Sequence, residues 1–397
     1  MTKNFATDTR LVHGGRPSGG QPLTVNPPVY HASTILFPTL DALQGRDPSV
    51  RYTYGRHGTP TTRALEDVVR GLEGAEAVFL TPSGMAAVSA AILAFATRGG
   101  HALVTASVYE PVRNFMDGWL TRFGVTVDYY NPRIGADIAG LIRPETCFVL
   151  VESPGSLTFE VQDIPAIAAA AHRRGVPVIA DATWGGGYFM KALALGADVA
   201  VQAATKHLVG HADALLGALA CNPKAAGPVK DTVTALGLCA GPDDIYLALR
   251  GARSLGPRLR QHQETGLLLA RWLAARPEVL QVLHPALPDH PDHALWQRDF
   301  TGACGLFAFV MRPVPRPALA AMMDGLKLFG MGFSWGGVES LLLPVSAAFR
   351  TVTAGPPCAA LEDGQLMRIH AGLEAPEDLI ADLEAGFTRL ATAGNRG

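Results

Sequence analysis

Lysine is scarce in this chain, with six residues against 27 arginines in a total of 33 basic side chains. Charge of either sign is sparse too, at 17% of 397 residues, and it nearly cancels to a net −2. No basic block or stripe is present, which argues against nucleic acid or an anionic lipid surface as a partner. No apolar run reaches the roughly 20 residues that span a bilayer, and Met1-Thr2-Lys3-Asn4-Phe5 shows no hydrophobic leader, so a cytoplasmic protein is expected. Cysteine is limited to Cys147, Cys221, Cys239, Cys304 and Cys358, odd in number, widely spread and without a CxxC. That excludes a disulfide framework and points to free thiols in a reducing compartment. GxGxxG and GxxxxGK[ST] are missing, so neither a dinucleotide fingerprint nor a P-loop is indicated. What is plentiful is apolar residue, 48% of the chain with a mean hydropathy of +0.18. This is enough for a large core in two or more domains. The low charge also fits surface hidden in subunit contacts, although a large interior would give the same figure.

Against that background one lysine stands out. Lys206 closes the run Asp198-Val199-Ala200-Val201-Gln202-Ala203-Ala204-Thr205-Lys206, an apolar strand that leads to a single amine. A desolvated lysine has a lowered pKa, and its free amine attacks carbonyls. Asp181 closes a second apolar strand, Val176-Pro177-Val178-Ile179-Ala180-Asp181. Pyridoxal 5'-phosphate needs this pair, a lysine for its aldehyde and an acid for its pyridinium nitrogen, together with a phosphate cradle. The cradle is Thr81-Pro82-Ser83-Gly84-Met85, between the strand Ala77-Val78-Phe79-Leu80 and a helical run from Ala86 to Ala96. A glycine turn at a helix N-terminus aims free N–H groups at an anion. Each feature alone has a plainer reading as a solvated loop residue or a tight turn; together they favour the cofactor.

The wider pattern predicts the frame. A helix starts at Thr59-Pro60, with Thr59 as cap, and ends at Gly74. Strands near 77–80, 102–105, 125–129, 147–151, 177–181, 198–203 and 215–220 alternate with helices, giving a mostly parallel sheet covered on both faces. A helical stretch follows from about Asp243 to Ala275, with breaks expected at Gly251 and Gly256-Pro257. A smaller α/β domain comes next, with strands near 305–311, 341–345 and 367–371 and helices near 315–325 and 376–391. The expected division is an N-terminal arm over 1–58 contacting a neighbouring subunit, a large cofactor-binding domain over 59–245 and a C-terminal domain over 246–397. Ligands in such sheets sit outside the carboxyl ends of the strands.

Several segments resemble the Cys/Met-metabolism family of pyridoxal-phosphate enzymes, and most of all its bacterial cystathionine β-lyase branch. They are Tyr52-Thr53-Tyr54-Gly55-Arg56-His57-Gly58-Thr59-Pro60, Pro82-Ser83-Gly84-Met85, Val108-Tyr109-Glu110-Pro111 and Glu152-Ser153-Pro154-Gly155-Ser156, followed by Asp181-Ala182-Thr183-Trp184, Ala203-Ala204-Thr205-Lys206-His207, Phe333-Ser334-Trp335-Gly336-Gly337 and Arg368-Ile369-His370. The resemblance implies the aspartate-aminotransferase-like fold (fold type I). It implies Lys206 as the lysine that takes the cofactor's aldehyde, Asp181 as the partner of the ring nitrogen and Tyr109 stacked on the ring. Gly84, Met85 and Thr205 would hold the phosphate, with Tyr54 and Arg56 reaching it from a neighbouring subunit. Arg368 would clamp the substrate carboxylate, and Ser334, Trp335 and Tyr54 would line the substrate site. The implied assembly is a homotetramer with shared sites acting on a small amino acid. Three positions depart from the family pattern. Ala182 and Ala203 stand where many relatives have Asn and Ser, and Phe333 stands where a tyrosine is frequent.

The expected reaction is C–S β-elimination from cystathionine or a related cysteine S-conjugate, giving a thiol, pyruvate and ammonia. γ-Lyase, cystathionine γ-synthase and O-acyl-homoserine sulfhydrylase chemistry are the alternatives within the family. Outside it stand a non-catalytic cofactor-binding regulatory protein and a metal-dependent hydrolase. The last would rest on His284, Asp289, His290, Asp292 and His293, but three prolines among residues 283–293 favour an exposed loop, so no metal is assigned.

Overall fold

The computed structural model describes residues 5–16, 24–345 and 364–394. Seven strands form the larger sheet: β1 (Ala77–Thr81), β2 (His101–Thr105), β3 (Thr126–Tyr130), β4 (Thr146–Glu152), β5 (Val178–Asp181), β6 (Val199–Gln202) and β7 (Gly217–Cys221), in the order β1-β7-β6-β5-β4-β2-β3. β7 pairs antiparallel with both β1 and β6, and every other pairing is parallel. The near-continuous apolar runs of β2, β6 and β7 are buried on both faces, as strands inside a sheet covered on both sides require. Alternation sorts the side chains: Val149 and Val151 join one core, Phe148 and Leu150 the other.

The smaller sheet is wholly antiparallel, in the order β10-β11-β9-β8, with β8 at Val279–Leu283, β9 at Leu306–Met311, β10 at Leu341–Pro344 and β11 at Gln365–His370. Its alternation has a functional result. Met367 and Ile369 pack under the helices Arg316–Met323 and Pro376–Gly394, whereas Leu366 shares a core with the large sheet. Arg368 lies on the same face of the strand as Leu366 and so faces the larger body.

Local signals explain the element ends. Thr59 caps the helix Pro60–Glu73 through a reciprocal box with Thr62, and Gly74 ends it in the left-handed region at φ 72°. Ser83 accepts the Ala86 N–H and so starts the helix Gly84–Phe95. Three expectations need correction. The long helical stretch divides into Pro242–Ala252 and Leu255–Ala274, so the break falls at Arg253-Ser254, while Gly256-Pro257 sits in the first turn, where proline needs no N–H partner. The strand β8 was not anticipated. The loop at 284–293 is largely buried rather than exposed: Arg133 donates two bonds to Asp292 at 2.7 and 2.9 Å, and Asp292 also accepts the Val161 N–H. His284 and His290 use Nδ1 to accept the amides of Ala286 and Asp292, so these imidazoles support a turn wedged between the two sheets. Among the described residues no group of three metal-ligating side chains is assembled.

At the N-terminal end, the helix Thr7–His13 packs on its own chain, where Asp8 accepts bonds from Arg260 at 2.7 Å and Tyr188 at 2.9 Å. Residues 25–43 expose a run of apolar side chains, with Leu36 87% and Leu40 66% exposed. No described helix is long and apolar enough to cross a membrane. Cys147, Cys221, Cys239 and Cys304 are free thiols; Cys358 lies outside the described residues.

Candidate active site

Consecutive strands of the large sheet deliver the site. β5 ends at Asp181, whose Oδ1 accepts the Thr183 N–H at 2.9 Å. The Thr183 hydroxyl accepts the Ala203 N–H at 2.9 Å, which ties the Asp181 turn to the segment carrying Lys206. Lys206 lies in the turn four residues past β6 and donates to Ser334 Oγ at 2.7 Å. Its Nζ also lies 5.4 Å from the centre of the Trp335 ring. Arg368, on β11, donates to the Ser334 carbonyl at 3.1 Å. Ser334 thus bridges the two cations, hydroxyl to one and carbonyl to the other. It holds φ +83°, a left-handed conformation uncommon outside glycine.

The electrostatics follow from burial. Desolvation pushes the Lys206 amine down to about 8, the Arg368 charge adds to this, and the Asp181 carboxylate opposes it. Burial raises the Asp181 carboxyl above the usual range, against the Thr183 hydrogen bonds and Lys206, which lower it. Burial likewise lowers the Arg368 guanidinium. Tyr109 is half-exposed, and its phenol is raised by burial, then by Glu152, with Arg368 opposing. Lys206, Asp181, Tyr109 and Arg368 therefore sit within one another's fields.

The other expected residues divide. Gly84 and Met85 open their helix beside the Lys206 segment; a Cβ on Gly84 would stand 2.5 Å from Ala203 Cβ. Ser83 takes the Ala86 and Ala87 amides, which leaves the Gly84 and Met85 N–H groups without a protein acceptor among the described residues. The Thr205 hydroxyl accepts from the Leu216 N–H at 2.8 Å and lies 3.2 Å from the Leu216 carbonyl, so it would have to turn to donate elsewhere. Tyr54 and Arg56 stand apart on an exposed loop, with the guanidinium 5.1 Å from the Tyr54 ring centre. The cavities beside Arg56 are lined by residues such as Arg51, His57 and Lys230, and by none of Lys206, Asp181 or Arg368. Phe333 is 90% exposed.

Two features escaped the sequence reading. Glu152, at the end of β4, accepts the Tyr109 N–H at 2.7 Å; a carboxylate closing an apolar strand, as Asp181 does, was the available signal. His207, His262 and His370 form a buried ladder under the site, with ring centres 6.5 and 5.1 Å apart. His370 Nε2 accepts the Gly336 N–H at 3.1 Å, and His262 bonds the Ala371 carbonyl. Burial pushes His262 down to about 4, His370 to about 3 and His207 well below its ordinary range, so all three are neutral imidazoles. Nothing at His262 in the sequence marks it, because it sits mid-helix among polar neighbours.

The donor set suits pyridoxal phosphate. Paired free amides at a helix N-terminus could take a phosphate, a partly deprotonated amine could take an aldehyde, and a carboxylate could face a ring nitrogen.

Comparison with known proteins agrees. Residues 8–388 match the family model described as Cys/Met metabolism PLP-dependent enzyme. The chain is 42% identical over 394 residues to the cystathionine β-lyase of Escherichia coli K12, covering 96% of this chain and 98% of that protein. It is also 42% identical to the cystathionine β-lyase of Salmonella typhimurium, with 96% and 98% covered. Among solved structures, the cystathionine γ-synthase of Xanthomonas oryzae pv. oryzae in complex with cystathionine superposes with a TM-score of 0.90 at 28% identity, covering 98% of this chain and all of that one.

Proposed function

The chain belongs to the Cys/Met-metabolism PLP-dependent enzymes, and from that premise we propose that it is a carbon–sulfur β-lyase acting on cystathionine or a related cysteine S-conjugate to release a thiol, pyruvate and ammonia. The observation that carries this reading is the Lys206–Ser334–Arg368 bridge beside Asp181. An amine, a guanidinium and a carboxyl drawn together in this way support the roles of aldehyde-binding lysine, carboxylate clamp and ring-facing acid. Pyridoxal phosphate, when bound, supplies an aldehyde for the substrate amine and a ring that stabilises negative charge at Cα.

The chain's own residues do the rest. The Gly84 and Met85 amides, with Thr205, would hold the phosphate, and the adjoining helix would add its positive end. Asp181 would pair with the ring nitrogen, and Tyr109 would pack on the ring. Arg368 exchanges the Ser334 carbonyl for the substrate carboxylate, a better partner for a guanidinium fork. At pH 7 about a tenth of a lysine with a pKa near 8 is neutral, so Lys206 can take the Cα proton without a second base. Trp335 and Ser334 restrict the substrate chain so that the sulfur-bearing carbon next to Cα is the one cleaved. Tyr54 and Arg56 complete the phosphate and substrate sites of a neighbouring subunit. Their exposure and the apolar side chains exposed over 25–43 support a shared-site homotetramer. On this reading residues 1–58 form the arm, 59–245 the cofactor domain and 246–397 the C-terminal domain, and the enzyme works in the cytoplasm.

The test is product analysis with cystathionine. Pyruvate and homocysteine are expected. Predominant 2-oxobutyrate and cysteine would move the assignment to γ-elimination and leave only the family.

A further inference from the structure

Three neighbouring strands converge on the site in the sheet order β5-β4-β2. β5 ends at Asp181, and Tyr109 follows β2; Glu152 lies on the strand between them. It is in register with Asp181 across a parallel pair, so the two carboxyls lie on one face of adjacent strands, about 4.8 Å apart at the backbone. Both are partly buried. Two carboxyls so placed do not both ionise readily, and their surroundings differ. Asp181 has the Lys206 charge in its field, and Thr183 donates to it. Among the described residues the groups that face Glu152 are Asp181, the Tyr109 phenol and the Tyr109 main chain, and no ion pair is formed with it. Its Oε2 takes the Tyr109 N–H at 2.7 Å. Tyr109 leads into the helix Glu110–Gly118, a start with no side-chain cap of its own. The Glu152 carboxyl fixes that start from across the strands.

We propose that Glu152 is a positioning residue for the cofactor, an uncharged carboxylic acid that holds the Tyr109 main chain over the ring and leaves Asp181 as the only carboxylate at the ring nitrogen. This rests on the pyridoxal-phosphate reading above. A neutral acceptor suffices for an N–H donor, whereas a second anion beside Asp181 would raise the proton affinity of the group meant to stay ionised. Burial, with Asp181 adding to it, holds the Glu152 carboxyl well above the usual range, in keeping with this assignment.

The experiment compares wild type, E152Q, E152A, Y109A and Y109A/E152A as purified full-length proteins. Pyridoxal phosphate is titrated into each after resolution of the cofactor, and the absorption band of the bound cofactor is followed from pH 6 to 9. E152A should weaken cofactor affinity about tenfold, the scale of one lost hydrogen bond to a fixed main chain. E152Q, which keeps the carbonyl acceptor, should restore affinity to within about twofold and leave the pH midpoint of the band unmoved. In the Y109A background E152A should cost less than about twofold, because both act through one contact. E152Q as weak as E152A, or a moved midpoint in E152Q, would show Glu152 acting as an anion and overturn the proposal. Wild-type affinity in E152A overturns it as well. Circular dichroism identifies a misfolded E152A, in which case the E152Q result decides alone. A wild-type protein that binds no pyridoxal phosphate would instead overturn the proposed function, a result distinct from any of these.

Discussion

Replacing Lys206 with methionine should make the cofactor-free protein more stable near neutral pH. Burial draws the Lys206 amine from its ordinary 10.5 down to about 8. At pH 7 the amine is still mostly protonated, so the folded state carries a desolvated charge that the unfolded chain solvates freely. The difference corresponds to about 3 kcal/mol as an upper value, since Lys206 is partly solvent-exposed. Methionine fills similar space without charge. The lost bond to Ser334 offsets about 1 kcal/mol, which leaves K206M ahead by about 2 kcal/mol. The pH dependence fixes the cause. Between about 8 and 10.5 the unfolded lysine keeps a proton that the folded one has released, so wild-type stability rises with pH across that window. The gap between the two proteins should therefore close by about pH 10. Urea unfolding of both proteins at pH 7 and 10 measures this, with other titrating groups cancelling in the comparison. A wild type as stable as K206M at pH 7, or a gap that does not narrow, would refute a desolvated Lys206.

Other consequences are as direct. Asp181→Asn should retain bound cofactor yet lose about two to three orders of magnitude in kcat, the scale of a charge pair of about 4 kcal/mol at an effective dielectric near 20; steady-state kinetics at saturating cofactor check this, and near-wild-type turnover would remove Asp181 from the ring nitrogen. Arg368→Lys should raise KM and lower kcat/KM together by about tenfold to a hundredfold, because a point charge cannot reproduce a two-bond fork. Mixing R56A with K206A subunits, each inactive alone, should recover activity, since a hybrid interface holds one intact site; no recovery after demonstrated subunit exchange would sink the shared-site proposal. Borohydride reduction followed by peptide mapping should place the cofactor on Lys206 and on none of the other five lysines.

Features with local causes were legible in the sequence. Thr59-Pro60 and Gly74 bound a helix because capping and a left-handed end are set by a few adjacent residues. The strands carrying Asp181 and leading to Lys206 were legible because runs buried on both faces are apolar throughout. The mostly parallel sheet with a smaller second sheet follows from their order. What was hidden depends on contacts between distant segments. The loop at 284–293 looked exposed because three prolines and several polar residues suit a surface; only Arg133, some 160 positions away, makes it an interior wedge. β8 was lost next to that loop. The antiparallel order of the small sheet is a matter of pairing that periodicity cannot supply, although Arg368 was legible from its motif as a residue facing Lys206. Glu152 was visible as a residue but not as a neighbour of Asp181, since register exists only once strands meet.

Ser334 engages both buried cations, Lys206 through its hydroxyl and Arg368 through its carbonyl. Lys206 follows a strand of the larger sheet and Arg368 lies on the smaller one, so one residue ties the two sheets together in the cofactor-free protein. Any group that takes Arg368 undoes one half of that tie, and any change at the Lys206 amine undoes the other. Binding at either cation is therefore an exchange rather than the filling of a gap, and a measured affinity reports the difference between two sets of bonds.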